Sequence, residues 1–147
     1  MFNVPLSCAG KYSVAAINPT ATAISAVADL AVVNTSAATH MIARGQTATL
    51  TVSAQGNNLT YLWKKAGVPM SNGGRISGVT TSRLMINSLI PLDSAIYTCD
   101  VTAPGGVLTG GNQTLNVLVP PVMNSTLYPP TMMSDGSYSY TLGAANF

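Results

Sequence analysis

Charged side chains are scarce in this sequence. There is no glutamate, and four aspartates stand against six lysines and arginines, so that 7% of the residues are charged. An average soluble domain has about 25%. The surface must therefore consist largely of uncharged Thr, Ser, Asn, Gly and Ala, which can be buried against a neighbouring molecule at little desolvation cost. Two interpretations stay open: a subunit of a larger assembly, or simply a β-protein rich in Thr, Ser and Asn.

Groups that carry out chemistry are equally rare. The single histidine, His40, precedes the first strong strand pattern, and we expect it on the surface of an edge strand. A catalytic triad or a metal site needs partner residues grouped around such a histidine, but the sequence contains no Cys-x-x-Cys, His-x-x-x-His or phosphate-binding glycine loop. The glycine pairs at 73–74, 105–106 and 110–111 are typical of turns. The sequence therefore predicts a non-enzymatic protein without catalytic residues, cofactor or metal.

Features that would direct the chain to nucleic acid or to a membrane are also missing. The basic residues are scattered except for Lys64 and Lys65, whereas nucleic-acid binding normally needs a dense basic stripe. The alanine-rich stretch Ser13–Val33 is interrupted by polar residues and a proline, so we do not expect a transmembrane span. Residues 1–11 lack the basic and apolar regions of a secretory signal. If Met1 is the natural start, we expect the protein to be made in the cytoplasm.

Residues 31–119 contain short runs in which apolar and polar residues alternate, separated by turn residues at regular spacing. This pattern is typical of a β-sandwich or a β-barrel. The predicted strands are Thr47–Ala54, Leu59–Lys65, Arg83–Leu89, Ala95–Val101 and Gln113–Val119. The sequence therefore predicts one all-β domain over residues 31–119.

Two segments flank this domain. Residues 1–30 form an alanine-rich N-terminal arm, in which Asn18 would cap a short helix with Pro19 in its first turn, or which would lie extended along a neighbour. We expect this arm to have little structure of its own. Pro120-Pro121 ends the domain, because neither residue can donate a hydrogen bond to a ladder. Residues 120–147 form a C-terminal tail that is too aromatic for an inert linker; it adds a strand to a neighbour or packs back on the sandwich.

Four motifs follow one another at a characteristic spacing: Gly45–Val52, Leu62–Gly67, Leu84–Ile86 and Asp93–Cys99. Together they resemble the immunoglobulin superfamily, and most of all the I-set-type domains of bacterial surface proteins and tailed-phage virion proteins. The resemblance covers residues 31–119. It implies an immunoglobulin-like β-sandwich with N- and C-terminal extensions.

The resemblance also implies structural roles for particular side chains. Trp63 would fill the space between the two sheets, and Tyr97, two residues before Cys99, would form a tyrosine corner whose hydroxyl bonds to nearby backbone. Arg75 would pair with Asp93 at that corner. If the pair is partly exposed, it contributes about 0–1 kcal/mol.

The sequence departs from the family at the expected inter-sheet disulfide. Most members carry a cysteine on the strand opposite Cys99, where this chain has Val52. We therefore expect Cys99 to be a free, buried thiol packed against Val52, which suits a reducing compartment or a family that has abandoned the bridge. A bridge between Cys8 and Cys99 is not expected, because Cys8 lies in the arm.

An immunoglobulin-like fold does not determine function. We predict a structural or binding virion protein, either a capsid decoration or a head-fibre subunit of a tailed phage. The alternative is a bacterial extracellular module, such as an adhesin repeat or a filament subunit. The expected location is accordingly the virion surface after synthesis in the host cytoplasm, or the bacterial cell surface in the alternative.

The predicted partners are a capsid or other virion protein and further copies of this chain in a homo-oligomer, with neither nucleic acid nor a membrane. Whether the sandwich also binds a host-surface glycan stays open. Aromatic and methionine side chains in the two extensions are the candidate contacts, because such residues dominate or adapt well to interfaces. They are Phe2, Tyr12, Tyr128, Met132, Met133, Tyr138, Tyr140 and Phe147.

Overall fold

The structure is a computed structural model of the chain, and it describes residues 4–120, 131–136 and 138–139. In chain order its strands are β1 (Gly10–Tyr12), β2 (Ala15–Ile17), β3 (Thr22–Ile24), β4 (Ala28–Leu30), β5 (Val32–Val33), β6 (Ala38–Ala43), β7 (Ala48–Thr51), β8 (Ala54–Gln55), β9 (Thr60–Lys65), β10 (Val68–Pro69), β11 (Ile76–Ser77), β12 (Arg83–Ile86), β13 (Ala95–Ala103), β14 (Gly106–Thr109), β15 (Gln113–Leu118), β16 (Thr131–Met132) and β17 (Tyr138–Ser139). The helical structure of the described residues is limited to two short 3-10 turns, Leu6–Cys8 and Pro91–Asp93.

Two sheets form the sandwich. The larger sheet has the strand order β10-β9-β13-β15-β6. The long strand β13 pairs with β15 along its first half and with β14 along its second half, both on the side away from β9. β15 and β6 run parallel, whereas the other neighbours are antiparallel. The smaller sheet has the order β11-β12-β7. β5 pairs with β8, which follows β7 after a break of two residues.

The apolar faces of the two sheets meet in one core. Its fully buried members are Ala48, Leu50, Trp63, Val79, Leu84, Ile86, Leu89, Tyr97, Cys99, Val101 and Leu115. All except Val79 and Leu89 lie at alternate positions of the predicted strands, as expected for strands with one buried face. The prediction of an all-β sandwich is confirmed.

Two details of the predicted strands are wrong. The strand predicted over Thr47–Ala54 is divided into β7, which ends at Thr51, and β8, which begins at Ala54. The Val52 N–H still continues the β7–β12 register by donating to the Ser82 carbonyl (2.9 Å), but Ala54 then pairs with Val33 of β5. The alternation also predicts an inward Val119, but this side chain is 49% exposed. It lies just beyond the end of β15 at Leu118, where the pleat no longer directs side chains into the core.

The N-terminal arm is folded as a β-ribbon, so the expectation of an arm with little structure, or with a short helix at Asn18, is wrong. β1 pairs with β4, and β2 pairs with β3. The Asn18 side chain caps the turn at the tip of this ribbon, accepting the N–H groups of Thr20 and Ala21 at 2.9 and 2.7 Å. An asparagine side chain that satisfies these backbone donors stabilises a tight turn as readily as a helix start.

The ribbon, defined as Gly10–Leu30, is fixed to one end of the sandwich. Asn57 Nδ2, in the turn between β8 and β9, donates to Asp29 Oδ1 at 2.7 Å. Gly105, in the turn between β13 and β14, approaches Asp29 so closely that a Cβ there would lie 3.6 Å from the Asp29 carbonyl oxygen. β15 ends beside β6 at the opposite end of the sheet, where Leu118 is the register partner of Ala43. The two extensions therefore leave the sandwich at opposite ends.

Candidate interaction surface

The ribbon presents unpaired strand edges to solvent. Val14 pairs with Ser25, whose N–H donates to the Val14 carbonyl at 2.8 Å, and Asn18 pairs with Ala21 at 2.9 Å. Hydrogen-bonded and non-hydrogen-bonded pairs alternate in an antiparallel ladder. The intervening pairs Ala15–Ile24 and Ile17–Thr22 therefore direct their backbone N–H and C=O groups outward.

A β-bulge bends the ribbon at its middle. Val14 opposes Ser25 and Tyr12 opposes Ala28, so that Ser13 faces the two residues Ala26 and Val27. The Ser25 hydroxyl accepts the Val14 N–H at 2.9 Å at this point. Bulges of this kind increase the local twist and re-aim the strand, which here turns the outer half of the ribbon relative to its base.

The side chains of the ribbon are apolar and exposed. Val14, Ile17, Ile24 and Val27 are between 60% and 75% exposed, and residues 12–28 contain no charged side chain. The only charged ribbon residues, Lys11 and Asp29, are register partners at the base. Contiguous exposed apolar surface is typical of interaction sites, so the ribbon is a candidate interaction surface.

A shallow cavity lies where the ribbon joins the sandwich. It has a volume of about 190 Å³ and lies between Leu30–Ala31 on one side and Ala103 with Gly105–Leu108 on the other. Leu30, Val107 and Leu108 are each at least 38% exposed. The apolar surface of the ribbon thus continues onto the β13–β14 turn.

Trp63 lies at the centre of the sandwich. Its ring is fully buried, and it sits on β9 directly opposite Cys99 of β13. The indole Nε1 donates to the Thr81 carbonyl at 2.8 Å. Because the one polar atom of the ring is bonded, the whole ring can be buried without an unsatisfied group.

Tyr97 forms a corner with the Pro91–Asp93 turn. Its hydroxyl donates to the Asp93 carbonyl at 2.8 Å. Burial disfavours the phenolate and raises the pKa of Tyr97 to about 12. The hydroxyl therefore remains a donor, and it holds the turn against β13.

The structure brings Arg75 and Asp93 together at the same corner. Arg75 Nη1 and Nη2 donate to the two Asp93 carboxylate oxygens at 2.8 and 3.2 Å, and the Ile90 N–H adds a third bond at 2.9 Å. Burial alone would raise the pKa of Asp93, but these bonds outweigh it and hold the pKa below its usual value. Arg75 Nη1 also donates to the carbonyls of Asn87 and Ser88, so one guanidinium ties β11 to the corner.

Cys99 and Val52 occupy the positions of the expected inter-sheet bridge. Cys99 is buried and free, and burial raises the pKa of its thiol to about 11. Val52 is half-buried and packs against the core. Gly110 lies close to the Val52 side chain and to the Cys99 backbone, since a Cβ there would come within 2.7 Å of Val52 Cγ2 and 3.6 Å of the Cys99 carbonyl oxygen. Gly110 is thus a site of close approach, although the sequence suggests only a turn. Cys8 is also free.

The family model of the immunoglobulin I-set domain matches residues 31–113, a range that contains all of these side chains. The chain belongs to the immunoglobulin I-set family. This family consists typically of structural and binding modules rather than enzymes.

Solved structures agree with the immunoglobulin-like fold. Immunoglobulin domains 1–4 of Sidekick-1 match with a TM-score of 0.55 and 15% identity, over 84% of this chain and 35% of that one. The tandem Ig repeats of Dlar match with a TM-score of 0.56 and 18% identity, over 73% of this chain and 75% of that one. The chain therefore spans about a third of the length of the Sidekick-1 structure. No curated protein matches it.

His40 lies on an edge strand, as the sequence predicts, but it is less exposed than the predicted surface residue. It lies half-buried on the edge strand β6, with Nε2 2.9 Å from Oε1 of Gln113, which is only 9% exposed. The pair borders a groove of about 240 Å³ between β6 and residues 51–53. This bond links the two parallel strands β6 and β15. Within residues 4–120 and the short described pieces of the tail, no three His, Cys, Asp or Glu side chains are grouped to hold a metal ion.

The predicted partner contacts are distributed unevenly. Tyr12 lies at the base of the ribbon, 52% exposed, with its hydroxyl donating to the Cys8 carbonyl at 2.7 Å. Met133 lies in the β16–β17 turn and is 49% exposed. The remaining candidates lie outside the described residues or have side chains that do: Phe2, Tyr128, Met132, Tyr138, Tyr140 and Phe147. No helix in the described part of the chain is long and apolar enough to cross a membrane.

The exposed aliphatic residues of the ribbon are candidate contacts that the sequence analysis did not predict. Their signal is present in the sequence: Ala15 and Ile17 alternate with small residues on one side of Asn18-Pro19, and Thr22 and Ile24 do so on the other. Alternating runs on both sides of a turn dipeptide are typical of a hairpin. The high alanine content obscures this pattern, because alanine is depleted in strands.

Proposed function

We propose that this chain is a structural subunit of a tailed-phage virion, a capsid decoration or head-fibre protein. In this role the ribbon attaches the subunit to the assembly and the I-set domain projects from it. The observation that carries the proposal is the ribbon, which has no charged side chain over residues 12–28, is anchored to one end of the sandwich through Asp29 and Asn57, and is otherwise exposed. A two-stranded ribbon is marginally stable alone in water, so one that retains apolar side chains in solvent is suited to binding a partner.

The unbridged core supports the same setting. Cys99 faces Val52 rather than a second cysteine, and both cysteines of the chain are free. A domain that needs no disulfide can fold in the reducing cytoplasm, where virions are assembled. The low charge of the chain adds to this argument, because an uncharged surface is buried in an assembly at little desolvation cost.

Mass spectrometry of purified virions tests the setting directly. The chain should be present in the particles at a stoichiometric level; its absence from them would end the virion proposal. The attachment is tested with the double variant Ile17→Asp, Ile24→Asp, which places charge on the ribbon and should abolish occupancy on particles. Leu92→Asp is the matched control, because Leu92 is 79% exposed on the opposite end of the sandwich, and it should bind normally.

The alternative proposal is a bacterial extracellular module, such as an adhesin repeat or filament subunit. Two similarities support it. The chain resembles the tandem Ig repeats of Dlar, and it spans only 35% of the Sidekick-1 structure, as one repeat of a larger protein would. Surface labelling of intact cells separates the two settings: a labelled chain on cells that produce no particles supports the alternative.

A further inference from the structure

Strand β6 is an edge strand without the usual protection. On one side it pairs with β15, where the N–H groups of Ala38 and Arg44 donate to the carbonyls of Asn112 and Leu118, both at 2.9 Å. Alternate residues of a strand point their backbone groups in opposite directions, so those of Thr39 and Met41 face away from β15. No strand among the described residues pairs with this side.

The composition of β6 leaves that side open to pairing. The strand is six residues long and contains no charge and no proline, and Met41 is 69% exposed. Natural edge strands usually carry a lysine, a proline or a bulge that prevents pairing with another chain. An edge with none of these is a template for strand addition.

The ribbon has edges of matching chemistry. Ala15 and Ile17 on one edge, and Thr22 and Ile24 on the other, direct backbone groups outward at every second residue, the same spacing as Thr39 and Met41. No charged side chain would have to be desolvated on either surface. Within one molecule the two surfaces do not meet, because the ribbon is held at the turns beyond β8 and β13 and is otherwise exposed.

We propose that the ribbon of one copy adds as a strand to the outer edge of β6 of a second copy. A second copy is the occupant because the chain carries both halves of this contact and cannot join them itself. The net charge of +2 over 147 residues gives little repulsion between copies. Since each copy has one ribbon and one β6 edge, the contact is head-to-tail and generates a ring or a filament. This inference goes beyond the proposed function and does not depend on a virion.

Sedimentation equilibrium of the full chain tests the contact. The wild-type chain should show a concentration-dependent mass above the monomer mass of 15.1 kDa. Met41→Pro removes only an outward N–H and leaves the β15 ladder intact, and it should weaken association at least about tenfold. Ile17→Lys with Ile24→Lys should do the same from the ribbon side. Met41→Thr and the pair Ile17→Thr, Ile24→Thr are uncharged controls that keep the strands, and they should associate like the wild type.

Two results would overturn the inference. The first is a monomeric wild-type chain at every concentration up to about 1 mM, the range of the weakest specific contacts. The second is association that the ribbon variants abolish while Met41→Pro leaves it unchanged, which would mean ribbon-to-ribbon pairing. When Ile24→Cys and Met41→Cys, each in a Cys8→Ser background, are mixed with oxidised glutathione as the oxidant, a disulfide should form between the two copies. Presence of the chain in virions together with a monomeric chain in solution would sink this inference and leave the proposed function standing.

Discussion

Arg75 holds Asp93 through two nearly parallel hydrogen bonds, Nη1 to Oδ2 at 2.8 Å and Nη2 to Oδ1 at 3.2 Å. The Asp93 side chain is 7% exposed, whereas that of Arg75 is 36% exposed. The guanidinium and the Ile90 N–H therefore stabilise the charged form of this buried carboxylate. The pair joins β11 to the corner that also receives the Tyr97 hydroxyl, and so it links both sheets to one turn.

Acid stability should depend on this pair. The pKa of Asp in an unfolded chain is about 4, and the pKa of Asp93 in the folded protein is lower. Between these values the unfolded chain binds more protons, so the contribution of Asp93 to stability is complete above about pH 4 and is lost as the pH falls through its folded pKa. Denaturant unfolding at a series of pH values should show a smaller acid loss for Asp93→Asn than for the wild type.

Asp100 provides the control for that experiment. Its pKa is also lowered, chiefly by a hydrogen bond from Lys64, but it lies on the outer face of β13 and takes no part in the corner. Because Asp93 is expected to account for most of the stability that is lost in acid, Asp100→Asn should lose nearly as much stability as the wild type when the pH falls. Equal acid profiles for wild type and Asp93→Asn would contradict the prediction.

Trp63→Ala is expected to unfold the domain. Truncating a fully buried ring costs about 3–5 kcal/mol, which is comparable with the total stability of a domain, about 5–15 kcal/mol. The free cysteines show that no inter-sheet bridge compensates for this loss. Far-UV circular dichroism during heating measures the effect. A cooperative transition of the variant near the wild-type temperature is the outcome that refutes it, and Trp63→Phe should be intermediate.

Val52→Cys should form a disulfide with Cys99 under oxidising conditions. Val52 stands where the family usually has cysteine, Cys99 is buried in the core, and Val52 packs against that core. Bridges of this loop length stabilise a fold by about 2–4 kcal/mol. Thiol titration and denaturant unfolding, with and without reductant, measure the bond and its effect. Failure to form the bond in folded protein would show that the backbone spacing at Val52 has adjusted to the absence of the bridge; Val52→Ala is the control for lost packing.

Gly111→Ala should be strongly destabilising, whereas Gly105→Ala should not. A Cβ at Gly111 would lie 2.2 and 2.3 Å from the carbonyl oxygens of Ser36 and Thr35, which are backbone atoms, whereas one at Gly105 meets nothing nearer than 3.6 Å. Neither glycine has a left-handed backbone, so the pair compares contact alone. We expect a loss of about 1–3 kcal/mol for Gly111→Ala and about 0.5 kcal/mol or less for Gly105→Ala. Equal melting temperatures for the two variants would contradict the close approach.

The sequence by itself determined which side chains enter the core. Alternate residues of a strand point to opposite faces of the sheet, so the apolar residues at alternate positions identify the buried face. Leu84 and Ile86 on β12, and Tyr97 and Cys99 on β13, are examples. Such alternation is a local pattern, and it can be read without knowing which strand lies next to which. The pairing of Arg75 with Asp93, in contrast, was implied by the resemblance to the immunoglobulin superfamily.

Only the tertiary structure decided what brings distant residues together. The bond between His40 and Gln113 depends on the parallel pairing of β6 with β15, which joins residues 73 positions apart. The ribbon depends on pairing across Asn18 between two three-residue strands, in which half of the paired residues are alanine, a residue depleted in strands. Pairing and close approach are properties of two segments at once, and neither segment alone contains the information. The open edge of β6 could not be predicted from the sequence for the same reason, because a strand is an edge strand only if no other strand pairs with one of its sides.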